Sequence, residues 1–152
     1  MLKGLSPLLH ADLLHTLASM GHGDFLMLVD ANFPAHSIAR HTVVGRPLMI
    51  ASETSAQAAE AILSVMPLDS FVDAPAARME VVGNYESIPE VQQEMQAVID
   101  AAEGKSLPMS AIERFDYYER AKQAYAIVVA GERRFYGCFM LMKGVIGPDE
   151  KS

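Results

Sequence analysis

The stretch Gly21-His22-Gly23-Asp24-Phe25-Leu26-Met27-Leu28-Val29-Asp30 decides the fold class. Phe25 to Val29 is continuously apolar, too short for a core helix and without polar alternation, the pattern of a strand covered on both faces. Two glycines bracket His22 before the strand, where the backbone can turn tightly, and Asp30 closes it. A strand of this length spans about 17–20 Å, so an extended Phe25–Val29 keeps His22 and Asp30 apart within one chain. Either the segment is bent, or the two residues approach a ligand from different sides or different subunits.

Toward the N-terminus, Ser6-Pro7 reads as N-cap and first helical residue, and Leu9, Leu13, Leu17 and Met20 repeat at near-helical spacing until Gly21. Beyond Asp30, Ala31 to Ser37 contains Pro34 and reads as a loop. Thr42 to Val44 and Leu48 to Ala51 read as short strands, and Ser55 to Met66 as an Ala-rich helix ended by Pro67. Arg78 to Val82 alternates like a strand. Pro89 opens a helix with Val91, Met95, Val98 and Ile99 on its buried face and Gly104 as its cap.

Phe115 to Ala124 has helical spacing, and Tyr125 to Ala130 is a β-rich run. Gly131-Glu132-Arg133-Arg134 then turns it toward Phe135 to Met142, which predicts a terminal hairpin. The alternation of helices and strands predicts an α/β fold, a three-layer α/β/α sandwich around a mixed, largely parallel sheet. Residues 1–146 are expected to form one domain and 147–152 a loose tail.

Apolar residues make up 51% and charged residues 20%, enough burial to offset chain entropy. A net charge of -7 with scattered Lys and Arg argues against a nucleic-acid partner, which needs clustered cations. No apolar run approaches the roughly 20 residues that span a bilayer, and His10, Asp12 and His15 interrupt any secretory signal. The lone Cys138 fits a reducing compartment, so the expected location is the cytoplasm.

Several motifs fail on context. Gly104-Lys105-Ser106 lacks the earlier glycine of a phosphate loop and follows a helix, and Gly21-His22-Gly23 precedes its strand, unlike a dinucleotide fingerprint. No His-x-x-x-His pair exists, and His10 and His15 do not share a helical face, so no metal is expected. Cys138 in an apolar strand setting reads as an inert small side chain rather than a nucleophile. Taken alone, His22 reads most simply as a turn residue and Asp30 as a loop cap.

Across nearly the whole chain, however, the sequence resembles the L-fucose mutarotase and D-ribose pyranase family, and L-fucose mutarotases more closely. The resemblance is carried by Leu2-Lys3, Ser6-Pro7-Leu8, Met20-Gly21-His22-Gly23-Asp24, Asp30-Ala31-Asn32-Phe33-Pro34-Ala35-His36-Ser37, Leu68-Asp69-Ser70 and Arg114-Phe115. It continues through Tyr118-Glu119-Arg120-Ala121, Ala126-Ile127-Val128-Val129, Gly131-Glu132-Arg133, Tyr136-Gly137 and Lys143-Gly144-Val145.

This resemblance implies a cofactor-independent isomerase acting on a reducing monosaccharide, L-fucose or a related 6-deoxyhexose, assembled as a ring-shaped homodecamer in which a neighbouring subunit helps complete each site. It implies a proton-donor role for His22 and sugar contacts from Asp30, Arg114, Tyr136 and Gly137, with Tyr118 a wall or hydroxyl contact. Where such enzymes carry Tyr-Gly-Asn, this chain has Tyr136-Gly137-Cys138. A thiol cannot reproduce the donor and acceptor of an amide, so a sugar-facing Cys138 would alter substrate preference, whereas a backbone contact would change little. D-Ribose pyranase activity and a non-catalytic, sugar-binding or regulatory protein are the alternatives. Tyr118, His36 and water are the possible bases for the C1 hydroxyl.

Overall fold

The computed structural model describes residues 2–150. The first helix, α1 (Ala11–Ser19), starts later than Ser6-Pro7 suggested. His10 is its N-cap, its Nδ1 accepting from Leu13 N–H at 3.4 Å, while Ser6 Oγ accepts from Leu8 N–H in a preceding turn. The helix still buries Leu13 and Leu17, and Leu9 and Met20 flank it in the core, as their spacing implied.

β1 (Phe25–Val29) follows, buried from Leu26 onward. The predicted loop over 31–37 instead gives way to the short helix α2 (Ala35–Ala39), because Pro34 takes the N-cap position, where its missing N–H costs nothing. Thr42 to Val44 is a turn rather than a strand. Thr42 Oγ1 donates to Ala39 C=O and accepts from Gly45 N–H, closing the turn locally, and Val44 N–H donates to Tyr125 C=O. β2 (Pro47–Met49) is a brief edge strand.

α3 (Ser55–Leu63) is capped by Thr54, whose side chain accepts from Gln57 N–H, and its Ala58, Ala59, Ala61 and Ile62 are buried. β3 (Ala76–Met79) begins two residues before the expected strand and ends three earlier. α4 (Glu90–Glu103) ends as predicted at Gly104, which adopts the left-handed conformation (φ 65°) that glycine takes without steric cost. β4 (Ser110–Ile112) then adds an edge strand, and α5 (Arg114–Ala121) is capped by the Glu113 carboxylate, which accepts from Phe115 and Asp116 N–H. β5 (Ala126–Val129) and β6 (Phe139–Met142) complete the described elements.

The strand order is β2-β5-β1-β6-β3-β4, all parallel except β6, which runs antiparallel to both β1 and β3. The terminal hairpin is therefore not formed: β1 lies between β5 and β6. Phe135 to Cys138 does not join the ladder, and the connection from β5 crosses the end of β1, where Ala31 N–H donates to Glu132 C=O at 2.8 Å.

Alternating residues of each central strand point into two cores. Leu26, Leu28, Ala126, Val128, Phe139 and Leu141 pack beneath α1, α3 and α4, and Met27, Val29, Ile127, Val129 and Met140 beneath α2 and α5. This is the expected three-layer sandwich, and it explains why β1 and β5 show no polar alternation. Of the expected tail, 147–150 form a turn closed by Glu150 N–H to Gly147 C=O, and 151–152 lie outside the described residues. Among the described residues, no helix is long and apolar enough to cross a membrane.

Candidate active site

In open α/β sheets, ligands bind beyond the carboxyl ends of parallel strands, where loops diverge and backbone groups are free. Here β1, β3 and β5 end at a common edge. A cleft of about 420 Å³ opens there, lined by Asp30, Asn32, Phe33, Met79, Arg114, Tyr118, Phe135, Tyr136 and Cys138. Its volume lies within the range of small-molecule sites.

Asp30 directly follows β1 and is almost fully buried. Its Oδ1 accepts from Asn32 N–H at 3.0 Å and its Oδ2 receives the Cys138 thiol at 3.4 Å. Burial, then the neighbouring Asp30 carboxylate, push the Cys138 thiol well above its ordinary pKa, so it stays protonated as a donor to Asp30. Cys138 therefore meets the cleft as part of its wall, with its hydrogen already committed.

Arg114 and Tyr118 sit one turn apart on the same face of α5. Arg114 Nε donates to the Tyr118 hydroxyl at 3.1 Å, and its guanidinium lies 5.5 Å from the Tyr118 ring centroid. Phe33 meets the same ring edge-on at 5.5 Å. The result is a wall with directional donors beside an apolar face, the pairing that a sugar's hydroxyls and C–H patches require.

Tyr136 has φ 64°, which costs a non-glycine residue about 1–2 kcal/mol and persists where the surroundings over-determine it. Those surroundings are specific. Its carbonyl accepts from Gln92 Nε2 at 3.1 Å, and Gln92, wholly buried, also donates to Met79 C=O at 2.8 Å and accepts from Arg78 at 3.1 Å. The Tyr136 hydroxyl accepts from Val82 N–H, and the next carbonyl, that of Gly137, accepts from Ser55 Oγ at 3.1 Å. Gly137 lies behind the cleft, and a Cβ there would sit 2.7 Å from Glu132 Cγ.

The buried Glu132 carboxylate ties this turn to the helical layer. It accepts from Ser55 N–H and from the Arg134 backbone and guanidinium, and Arg134 reaches on to Glu94 of α4 through two bonds of 2.9 and 2.7 Å. Burial would raise its pKa, but the Arg134 and Ser55 contacts prevail and lower it to about 2.

His22 is elsewhere. It lies before β1, at the sheet edge opposite Asp30, and does not line the cleft. Its Nε2 is 3.0 Å from Asp69 Oδ1 and its ring stacks obliquely on Phe71 at 5.3 Å. β1 is paired on both sides and extended, so the bent alternative is removed and no His22–Asp30 dyad forms within one chain. His36, exposed on the outer side of α2, is not among the lining residues either. No group of three or more His, Cys, Asp or Glu side chains gathers as metal ligands among the described residues.

The model of the RbsD / FucU transport protein family matches residues 3–146. The chain belongs to that family. Among curated relatives of this RbsD / FucU member, L-fucose mutarotase of Haemophilus influenzae is 42% identical over 95% of this chain and 97% of its own. A crystal structure of a candidate sugar binding protein is 55% identical, covers 97% of each chain and superposes with a TM-score of 0.94. The fucose mutarotase of Streptococcus pneumoniae in complex with L-fucose is 36% identical, covers 96% of this chain and 100% of its own, and gives a TM-score of 0.85.

Asp30, Arg114, Tyr118, Tyr136 and Cys138, chosen from the sequence, thus gather at one cleft, with Gly137 in its support and His22 at the far edge. Sequence alone gave no role to Phe33, Met79 and Phe135 on the wall, to Gln92, Ser55 and Glu132 behind it, or to Asp69 beside His22 at the opposite edge. Leu68-Asp69-Ser70 and Gly131-Glu132-Arg133 were noted only as marks of resemblance. Gln92, within a regular helix, gives no local signal.

Proposed function

We propose that this protein is a sugar mutarotase that interconverts the anomers of L-fucose or a related 6-deoxyhexose without a cofactor. The observation that carries the reading is the cleft at the carboxyl edge of the sheet, where the Asp30 carboxylate, the Arg114–Tyr118 pair and the Tyr136 turn face one space. Its relatives include L-fucose mutarotases that match it over nearly their whole length.

Anomer exchange requires removal of the C1 hydroxyl proton and protonation of the ring oxygen. The C1–ring oxygen bond then breaks, the aldehyde turns, and reclosure reverses both transfers. Asp30, as acceptor, and Arg114, as donor, would hold the sugar hydroxyls, with Tyr118, Tyr136 and the Gly137–Cys138 backbone shaping the pocket. His22 would donate the proton. Because it sits at the opposite edge of its own sheet, it would serve the cleft of a neighbouring copy, which the proposed ring-shaped homodecamer would supply. Residues 1–146 would constitute the catalytic domain, working in the cytoplasm.

Exchange NMR on L-fucose, D-ribose and other reducing sugars tests the reading. Accelerated exchange with L-fucose, lost in His22→Ala, is expected. Preference for D-ribose would reassign the substrate, and saturable sugar binding without acceleration would establish a binding protein instead. Mixing inactive His22→Ala with inactive Asp30→Asn subunits should restore partial activity if each site draws on two copies. No recovery in confirmed mixed assemblies would contradict the shared site.

A further inference from the structure

We infer that Asp69 is the positioning residue for His22, fixing the imidazole as the Nε2–H tautomer so that Nδ1 is the nitrogen that exchanges the catalytic proton. The inference rests on the proposed donor role of His22 and names the atom that performs it.

The two side chains are mounted on a common backbone anchor. Gly23 N–H donates to Lys143 C=O at 2.9 Å and Lys143 N–H to Asp24 C=O at 2.8 Å, which fixes the loop carrying His22. Asp69 N–H donates to Met142 C=O at 3.1 Å, and its neighbour Leu68 forms a β-bridge with Lys143. The Lys143 ammonium donates to Leu17 C=O and Met20 C=O at the end of α1, so the start of the loop is held as well. Asp24 Oδ2 closes the turn by accepting from Gly21 N–H at 2.7 Å.

The pair is asymmetric in its exposure. The Asp69 side chain is 3% exposed and that of His22 is 45% exposed. Both described partners of the carboxylate, Phe71 N–H at 2.9 Å and His22 Nε2 at 3.0 Å, meet the same oxygen. The Phe71 N–H and, after the opposing effect of burial, His22 hold the Asp69 carboxyl below its ordinary pKa, so it is ionised at neutral pH.

An ionised carboxylate only accepts, so a nitrogen 3.0 Å away must present a hydrogen to it. The neutral ring then carries its lone pair on Nδ1, to which no hydrogen bond runs among the described residues. A buried acceptor thus holds one edge of the ring and leaves the other open, the arrangement by which a carboxylate orients a catalytic histidine. In the proton-transfer step, the Nδ1–H bond of the imidazolium breaks as a ring O–H bond forms. The C1–ring oxygen electron pair moves to that oxygen, and the C1 hydroxyl proton leaves to water as the aldehyde forms. Reclosure returns both protons.

The test uses the full-length protein labelled with ¹⁵N-histidine. Long-range ¹⁵N–¹H correlations should show neutral His22 protonated at Nε2 and bare at Nδ1. Asp69→Asn should weaken that preference and lower kcat about 100-fold, within the contribution of a positioned proton donor, with KM unchanged and Asp69→Glu recovering part of the rate. Nδ1–H in the wild-type protein would overturn the inference, as would an unchanged kcat in a folded Asp69→Asn that has lost the tautomer. So would a slow Asp69→Asn that keeps the tautomer. His22→Ala assayed in parallel separates the two levels: normal exchange there removes the donor role itself, whereas slow His22→Ala with fast Asp69→Asn removes only the positioning role.

Discussion

Replacing Glu132 by Gln should destabilise the protein in a pH-dependent way, because a buried carboxylate, not merely a polar group of its shape, holds the turn over β1. Its pKa falls from 4.5 in an ordinary setting to about 2 in the fold. At 1.36 kcal/mol per unit this corresponds to about 3 kcal/mol of stability carried by the ionised form. A depressed carboxylate contributes fully above its unfolded pKa and loses that contribution as pH falls through the folded value. The Glu132→Gln deficit should therefore be about 3 kcal/mol at pH 7 and shrink steadily between about pH 4.5 and about pH 2. Denaturant unfolding of both proteins across this range is the assay, supported by a neutral-pH Tm loss of about 6–12 °C for a chain of this size. A deficit below about 1 kcal/mol at pH 7, or one constant down to pH 2, would show that the ionised carboxylate does not hold the turn.

Gly137→Ala should cost about 1–3 kcal/mol through overpacking, because the new Cβ meets Glu132 Cγ at 2.7 Å; denaturant unfolding measures it. Arg114→Lys removes the planar donor beside Tyr118 and should raise KM for the sugar about 10-fold, the equivalent of one ordinary hydrogen bond, while thermal stability stays unchanged. Tyr117→Phe deletes the bond from a fully buried hydroxyl to Phe139 C=O and should cost about 1 kcal/mol, read as a lower Tm with KM unaffected.

What could be read from the sequence follows how local each cause is. β1 and β5 were legible because burial on both faces leaves an uninterrupted apolar run, and the end of α4 because Gly104 alone can take the left-handed cap without strain. α2 was hidden by Pro34, which reads as a breaker but sits where a helix tolerates it. β4 was hidden because three residues on a largely exposed edge leave no period to detect.

The false hairpin arose because Phe135 to Met142 is apolar throughout, although its first half arches over β1 and only Phe139–Met142 enters the sheet. The site divides in the same way. Asp30, Arg114, Tyr118 and Tyr136 were named through resemblance, and their meeting depends on that arch. Asp69 and Gln92 act on partners 47 and 44 residues away, so nothing near them in the chain points to His22 or Tyr136. Strand length raised the separation of His22 from Asp30 but left a bent segment open, and the pairing of β1 on both sides removes that alternative.

Catalysed opening and closing of a reducing sugar ring is the activity on which every other role here depends. Saturation-transfer NMR between the two anomeric protons of L-fucose, with and without a catalytic amount of the full-length protein, measures that directly. The expected result is a protein-dependent exchange rate that rises with enzyme concentration and collapses in His22→Ala. Exchange no faster than in buffer, from folded protein that still binds the sugar, would contradict it.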